Sequence, residues 1–316
     1  MAKKILKILI KSITWLLAVV LSLAIVTLAV LNVAKFFIYP DYYSSKENLC
    51  INPGLSDGFV CQGLAVSEEN GKFFVSGYMK DDSASRLYVT DANNDSYYVS
   101  LLKENGEDFT GHAGGVATTG DKIFIASGDH VYTIPINSVL NAKNGDTIKL
   151  DDGIKVNNEA SFVFSNEEYL YVGEFHDGGK YVTEHPYQTN DGTYYAIISR
   201  YKLDDLNAPD KIYSIRNKVQ GACFTPDGKV ILSTSYGLSD SVYYVYNEAD
   251  ATDSGLTLDG VPVYFLDNCI KEIKAPAMSE DLDFYDGRVI THFESASDKY
   301  IFGKFFFANK IVALEY

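Results

Sequence analysis

The sequence predicts an all-β domain, a five-bladed β-propeller, carried behind one N-terminal transmembrane helix. Two observations lead there. An uncharged apolar run opens the chain, and the remainder holds five copies of one hairpin unit.

The run comes first. From Ser12 to Ala34 no residue is charged, and most are Leu, Val, Ile or Ala. A helix needs about 20 such residues to cross a bilayer core. A core helix of a globular domain would show a polar stripe at helical period, and this one shows none. Lys3, Lys4, Lys7 and Lys11 precede the run, an arrangement that keeps the N-terminus cytoplasmic. Trp15 falls near one interface, and Phe36, Phe37 and Tyr39 near the other. The competing reading is a cleaved signal peptide, but its apolar region usually spans only about 7–15 residues. The division is therefore a basic cytoplasmic tail over 1–11, a signal-anchor over 12–38, and an extracytoplasmic domain over 45–316.

Charge separates along the same line. Five of the 27 basic residues lie in the first 35 positions, which hold no acid; the rest of the chain sets 22 basic against 42 acidic residues. So acidic a surface repels phosphate backbones, which argues against a nucleic-acid partner. Cys50, Cys61, Cys223 and Cys269 all fall on the exported side. Disulfides are allowed there, with Cys50 and Cys61 the natural close pair, and buried free thiols remain the alternative. No pair has zinc-site spacing.

Each unit of the repeat is an apolar strand, a Gly/Asn/Asp turn and a β-branched or aromatic strand. The first runs from Gln62-Gly-Leu-Ala-Val to Lys72-Phe-Phe-Val-Ser, the second from Gly114-Gly-Val-Ala-Thr to Lys122-Ile-Phe-Ile-Ala. The third is Ala160-Ser-Phe-Val-Phe with Tyr169-Leu-Tyr-Val-Gly, the fourth Gln220-Gly-Ala-Cys-Phe with Lys229-Val-Ile-Leu-Ser. Glu280-Asp-Leu-Asp-Phe with Arg288-Val-Ile-Thr-His is the fifth. Leu64, Val116, Phe162, Ala222 and Leu282 are equivalent, at intervals of 52, 46, 60 and 60. Third strands follow in every unit. Fourth strands are placed at Tyr97–Leu101, Thr147–Leu150, Lys211–Ile215 and Val263–Leu266. The fifth unit lacks one, so residues 46–60 either supply it and close the ring or conceal a sixth blade. Gly63, Gly115, Ser161 and Gly221 fall where innermost strands crowd the channel.

Gln62-Gly63-Leu64, Phe73-Phe74-Val75-Ser76-Gly77-Tyr78 and Ser85-Arg86-Leu87-Tyr88 together resemble the opening blade of the plant-type glutaminyl cyclases, which are five-bladed propellers. The resemblance covers about 30 residues. It implies the propeller architecture and Gln62 as a channel residue. It does not imply the activity, because the family's acidic residue near Ser76 and its channel tryptophans are not matched. The units are also similar in fold to lactonase and strictosidine-synthase-like propellers.

Topology locates a site where motifs do not. The start of each first strand and the end of each second strand share one face of the disc. The candidate ligand-binding groups gathered there are Gln62, His112, Glu159, Glu174, His176, Gln220, Glu280 and His292. Glu159, Glu280 and Asp281 are candidate ligands for a divalent cation such as Ca²⁺, which takes 6–8 oxygens. Simple polar lining of a water-filled channel is the alternative. The Tyr- and His-rich stretch between Glu174 and Thr193 overhangs the same mouth. Asp91-Ala-Asn-Asn-Asp-Ser begins like a calcium loop but lacks its Gly and its final Glu, which makes it a hairpin turn. No GxSxG, HExxH or phosphate-binding glycine loop occurs. The expectation is a tethered module that binds or senses a small molecule, glycan or protein at the mouth. The alternative is a metal-assisted hydrolase or lyase of sugar or lactone type at the same place.

Overall fold

The computed structural model describes residues 2–303 and 307–316. A single helix, Ala2–Ile38, carries the apolar run, and none of its spanning segment is buried in the protein. By length and composition it can cross a membrane. Pro40 has no N–H to continue the ladder, and Tyr39 breaks to φ −124°, ψ 56° before a short helical segment, Pro40–Ser45.

Five blades follow. Blade one comprises Phe59–Ser67, Lys72–Met79, Arg86–Thr90 and Tyr97–Leu102, paired antiparallel in that order from the channel outwards. Blade two comprises Gly115–Thr119, Lys122–Ser127, His130–Pro135 and a two-residue outer strand, Ile154–Lys155. Blade three is Phe162–Ser165, Tyr169–Gly173, Ala196–Lys202 and Lys211–Ile215. Blade four is Val219–Phe224, Lys229–Thr234, Ser241–Asn247 and Lys271–Ala275. Blade five joins Ser279–Tyr285, Arg288–Phe293 and Lys310–Leu314 to the first strand of the chain, Lys46–Ile51. The ring is thus five-bladed and closed by the N-terminal strand. No sixth blade lies within 46–60.

Two outer strands differ from expectation. Asp146–Lys149 adds in parallel to the edge of blade one, and Val261–Phe265 adds in parallel to the edge of blade three. The repeat predicts them as the fourth strands of blades two and four. A fourth strand exposes a row of unpaired N–H and C=O groups, and a passing segment that pairs with them satisfies both edges. Blades two and four complete themselves with Ile154–Lys155 and Lys271–Ala275 instead.

Alternating side chains pack between blades. Phe74, Leu87 and Val99 of blade one meet Val116, Ile123 and Ile134 of blade two in one apolar cluster. Nearest the axis the inner strands touch through backbone. A Cβ on Gly115 would lie 2.6 Å from Cα of Phe162, and one on Gly221 would lie 2.5 Å from Cα of Asp281. Glycine is needed at both places for lack of space. All four cysteines are free thiols; Cys50, Cys61 and Cys223 are buried.

The path of the chain into the ring sets its relation to the helix. Tyr39 Oη donates to Asp240 Oδ1 at 2.8 Å, in the loop between the second and third strands of blade four. Lys46 pairs with Leu314, and Leu314 with Val289, so the closing strand starts at the opposite face, that of the hairpin turns. Pro40–Ser45 therefore runs from the mouth face towards the turn face. It buries Tyr42 against Phe293, with rings edge-on at 5.9 Å.

Candidate functional site

The inner strands are irregular where the candidate residues sit. Register shifts fall between Cys61 and Gly63, between Val219 and Gly221, and between Ser279 and Leu282. Gln62, Gln220, and the pair Glu280-Asp281 are the residues skipped by the ladder. A bulge turns such a side chain out of the alternation imposed by the strand. Ala113, Lys218 and Met278, each just before an inner strand, adopt φ of 46°, 66° and 69°. Non-glycine residues seldom take this conformation, and three such positions around one channel mark a strained rim.

At this end the channel widens into an open cavity of about 800 Å³. Gln62 and Tyr78 of blade one line it, with His112 from blade two, and Glu159, Phe175, Lys180 and Tyr181 from blade three. Gln220 and Tyr236 of blade four, and Glu294, Lys299 and Tyr300 of blade five, complete the wall.

One side of the cavity is a dense polar network. Gln62 Nε2 donates to Glu294 Oε2 at 3.2 Å and to the Cys61 carbonyl at 2.8 Å. Behind Glu294 lies Glu280, only 2% exposed and hydrogen-bonded to it. Burial, then the neighbouring charge of Glu294, raises the Glu280 carboxyl well above the usual carboxylate range. Glu294 is raised as well, chiefly by burial. Two acids so placed cannot both ionise cheaply, so at neutral pH the pair retains a proton. The Lys299 ammonium sits 4.4 Å from the Tyr78 ring centre and 5.4 Å from that of Tyr300. His112 packs against Tyr78, ring centres 4.5 Å apart. Withdrawal from water and the charges of Lys299 and Lys180 disfavour its imidazolium form.

The remaining candidates take other places. His292 is fully buried and makes a 2.9 Å contact from Nε2 to the Gln62 carbonyl. That fixes the Nε2–H tautomer and leaves Nδ1 unpartnered. Burial lowers its pKa to about 4. His292 thus supports Gln62 from behind the wall. Glu174 is buried at the root of the long loop, where it accepts from the Ile197 amide at 3.0 Å and contacts His185 Nδ1 at 2.9 Å. The His185 ring loses solvation, but the Glu174 contact outweighs this and raises its pKa. His176 is also buried, accepting from the Thr183 amide at 3.1 Å and stacked on Tyr195 at 4.8 Å. These two residues shape the overhanging loop, and neither lines the cavity.

The candidate cation ligands are likewise divided. Glu159 is on the wall and Glu280 behind it. Asp281 accepts from the Leu64 amide at 3.2 Å, a bond that ties blade five to blade one, and from the adjacent Leu282 amide at 2.9 Å. Among the described residues, no group of three or more His, Cys, Asp and Glu is placed to hold a metal. Asp91 is a hairpin turn, as expected, accepting from the amides of Asn93 and Asp95.

The sequence places Lys180 and Tyr181 only within the overhanging stretch, and it does not set Tyr78, Tyr236, Glu294, Lys299 or Tyr300 among the candidate ligand-binding residues. Several lie in loops between second and third strands, and such loops carry no period to read. The polar cluster Asp298-Lys299-Tyr300, shortly after the strand Arg288–Phe293, is the available signal.

No protein-family model and no curated protein sequence matches the chain. Its fold is similar to that of several solved structures. The Myxococcus xanthus glutaminyl cyclase aligns at TM-score 0.47 and 10% identity, over 85% of this chain and 97% of that one. The GH43_1 enzyme from Xanthomonas citri aligns at TM-score 0.46 and 10% identity, over 84% and 90%. A Kuenenia stuttgartiensis hydrazine synthase chain aligns at TM-score 0.40 and 12% identity, over 74% of this chain and 55% of its own length. None of these likenesses reaches a TM-score of 0.5, and none carries an activity over to this chain.

Proposed function

We propose that this chain is a membrane-anchored propeller, its domain held outside the cytoplasm, that binds a small polar ligand in the channel mouth. The cavity of about 800 Å³, walled by all five blades, is the observation that carries the reading. Its volume lies in the range of small-molecule sites. Tyr78, Phe175, Tyr181 and Tyr236 line the cavity together with Gln62, Gln220 and Glu159. Rings beside fixed hydrogen-bonding groups suit a ligand with one flat apolar face and several hydroxyl or amine groups, such as a sugar. The four lysines before the apolar run support the orientation.

Calorimetry with a panel of mono- and disaccharides on the full-length protein tests this, followed by Gln62→Ala and Gln220→Ala. Each variant should weaken a true mouth ligand by about tenfold, the equivalent of about 1.4 kcal/mol. A ligand bound equally well by both variants sits elsewhere and ends the reading. Protease added to intact cells should remove the 45–316 domain; protection until lysis would reverse the orientation.

A second reading is favoured by the Glu280–Glu294 pair. A carboxylic acid that keeps its proton at neutral pH is the group a general acid requires. Turnover of any ligand found, abolished by Glu294→Gln with binding retained, would make the mouth an active site.

A further inference from the structure

Beyond residue 38, the large apolar side chains that the described residues leave exposed are unevenly placed. Val182 is 62% exposed, Leu238 48% and Ile301 78%. They lie in the loops between the second and third strands of blades three, four and five, all on the mouth face. Tyr181, Tyr236 and Phe302 are exposed beside them. Tyr195 and Phe307 are exposed in the same loops, whereas Ile51, at the end of the closing strand, Leu256, in the strand Thr252–Leu258, and Ile270, in the connection before the outer strand of blade four, lie outside them. The hairpin tips of the opposite face are Glu68-Glu69-Asn70, Gly120-Asp121, Asn166-Glu167-Glu168, Asp227-Gly228 and Asp286-Gly287. They carry acids and no large apolar residue.

Cations accompany the apolar tips. Lys180 precedes Tyr181 and Val182, and its ammonium lies 4.9 Å from the Tyr181 ring centre. Lys218 lies 5.3 Å from the ring centre of Tyr236, and Lys299 stands two positions before Ile301. Tyrosine with lysine around protruding aliphatic tips is the composition that settles at the headgroup boundary of a bilayer. The N-terminal helix, moreover, meets the domain at this same face, where Tyr39 is hydrogen-bonded to Asp240, two residues from Leu238.

We infer that the mouth face of the propeller rests on the bilayer that its own helix spans. The tips at Val182, Leu238 and Ile301 enter the interface, and the channel opens into the headgroup layer. The inference rests on reading Ala2–Ile38 as a membrane anchor. The occupant is fixed by continuity of chain, since one residue, Tyr39, separates the helix from the short segment that packs on the ring. The acid-rich turn face would be repelled by anionic lipid and points the other way.

The test uses full-length protein in vesicles of phosphatidylcholine and phosphatidylglycerol brominated high in the acyl chains. Trp15 is the sole tryptophan, so its quenching reports the anchor alone. In a Trp15→Phe background, Val182→Trp and Leu238→Trp place single reporters on the rim, and Glu69→Trp places one on the turn face. Docking predicts that both rim reporters lose most of their emission to bromolipid and shift to the blue, while the Glu69 reporter keeps its emission. If Trp15 is quenched and both rim reporters stay bright, the domain stands clear of the membrane and the inference fails while the anchor stands. If Trp15 itself is not quenched, the anchor reading fails and takes the inference with it. Quenching of the Glu69 reporter in place of the rim pair would show the domain docked by the wrong face.

Discussion

Glu294 hydrogen-bonds to Glu280 at the wall of the channel mouth, and the pair holds a proton that two solvated carboxylates would lose. Asp281 and Asp283, on the same inner strand, are raised as well, Asp283 to about 7, in both cases chiefly by burial. A carboxyl whose pKa rises on folding stabilises the native state below its unfolded pKa, and that contribution is lost as pH climbs through the folded value. Thermal stability should therefore be greatest in mildly acidic solution and fall from about pH 5 to 8. For a fully buried group, each tenfold gain in proton affinity on folding corresponds to about 1.4 kcal/mol. Glu280→Gln keeps a donor for Glu294 at every pH and should flatten the decline. A melting temperature that rises steadily to pH 8 would contradict the burial of these acids.

Gly221→Val should destabilise the domain by about 1–3 kcal/mol through overpacking, because the new side chain would strike the backbone of Asp281. Gly228→Val, in an open turn at φ +78°, gives a comparison in which strain comes from the backbone alone. Denaturant melts read both.

Tyr42→Ala removes a ring that is 2% exposed and set edge-on against Phe293. A loss of about 3–5 kcal/mol is expected from such a truncation. The segment 39–46 should become open to protease while the ring itself stays protected. Limited proteolysis with mass spectrometry distinguishes this from general unfolding.

Thiol labelling should separate the cysteines. Burial pushes Cys50 up to about 12 and raises Cys61 and Cys223 well above the usual thiol range, which keeps them protonated and slow to react. Cys269 is partly exposed and should be alkylated first, with the other three following only on denaturation. A protein that takes up fewer than four labels when denatured without reductant would contain a disulfide.

Much of this architecture was readable in the chain because hairpins leave a local imprint. Thr-Pro-Asp-Gly between Phe224 and Lys229 can hardly be anything but a turn, and the glycines at 63, 115 and 221 mark the axis. The outer strands were less readable. A segment such as Val263-Tyr-Phe has the composition of a strand but no mark of which edge it joins, and parallel addition to blade three depends on contacts about 50 residues away. At the site, Gln62, Gln220 and Glu280 were legible because the repeat aligns them, although the bulges that turn them were not. Glu174 and His176 shared the same alignment and were drawn into the loop instead. Whether a polar residue at a strand end faces water or an inner partner is decided by partners that carry no repeat signal, here the Thr183 and Ile197 amides and the His185 ring, 7, 23 and 11 residues on.

Closure of blade five by Lys46–Ile51 couples the two ends of the domain. The first strand of the domain must wait, unpaired along its edge, until Lys310–Leu314 has been synthesised about 260 residues later. Long-range pairing of this kind is slow and leaves a sticky edge exposed in the meantime. With the helix anchored as proposed, that strand would stay near its birthplace while the other four blades assemble, and the last step would be a search confined to a surface. A chain stopped before residue 310 could build four blades but would never become a ring.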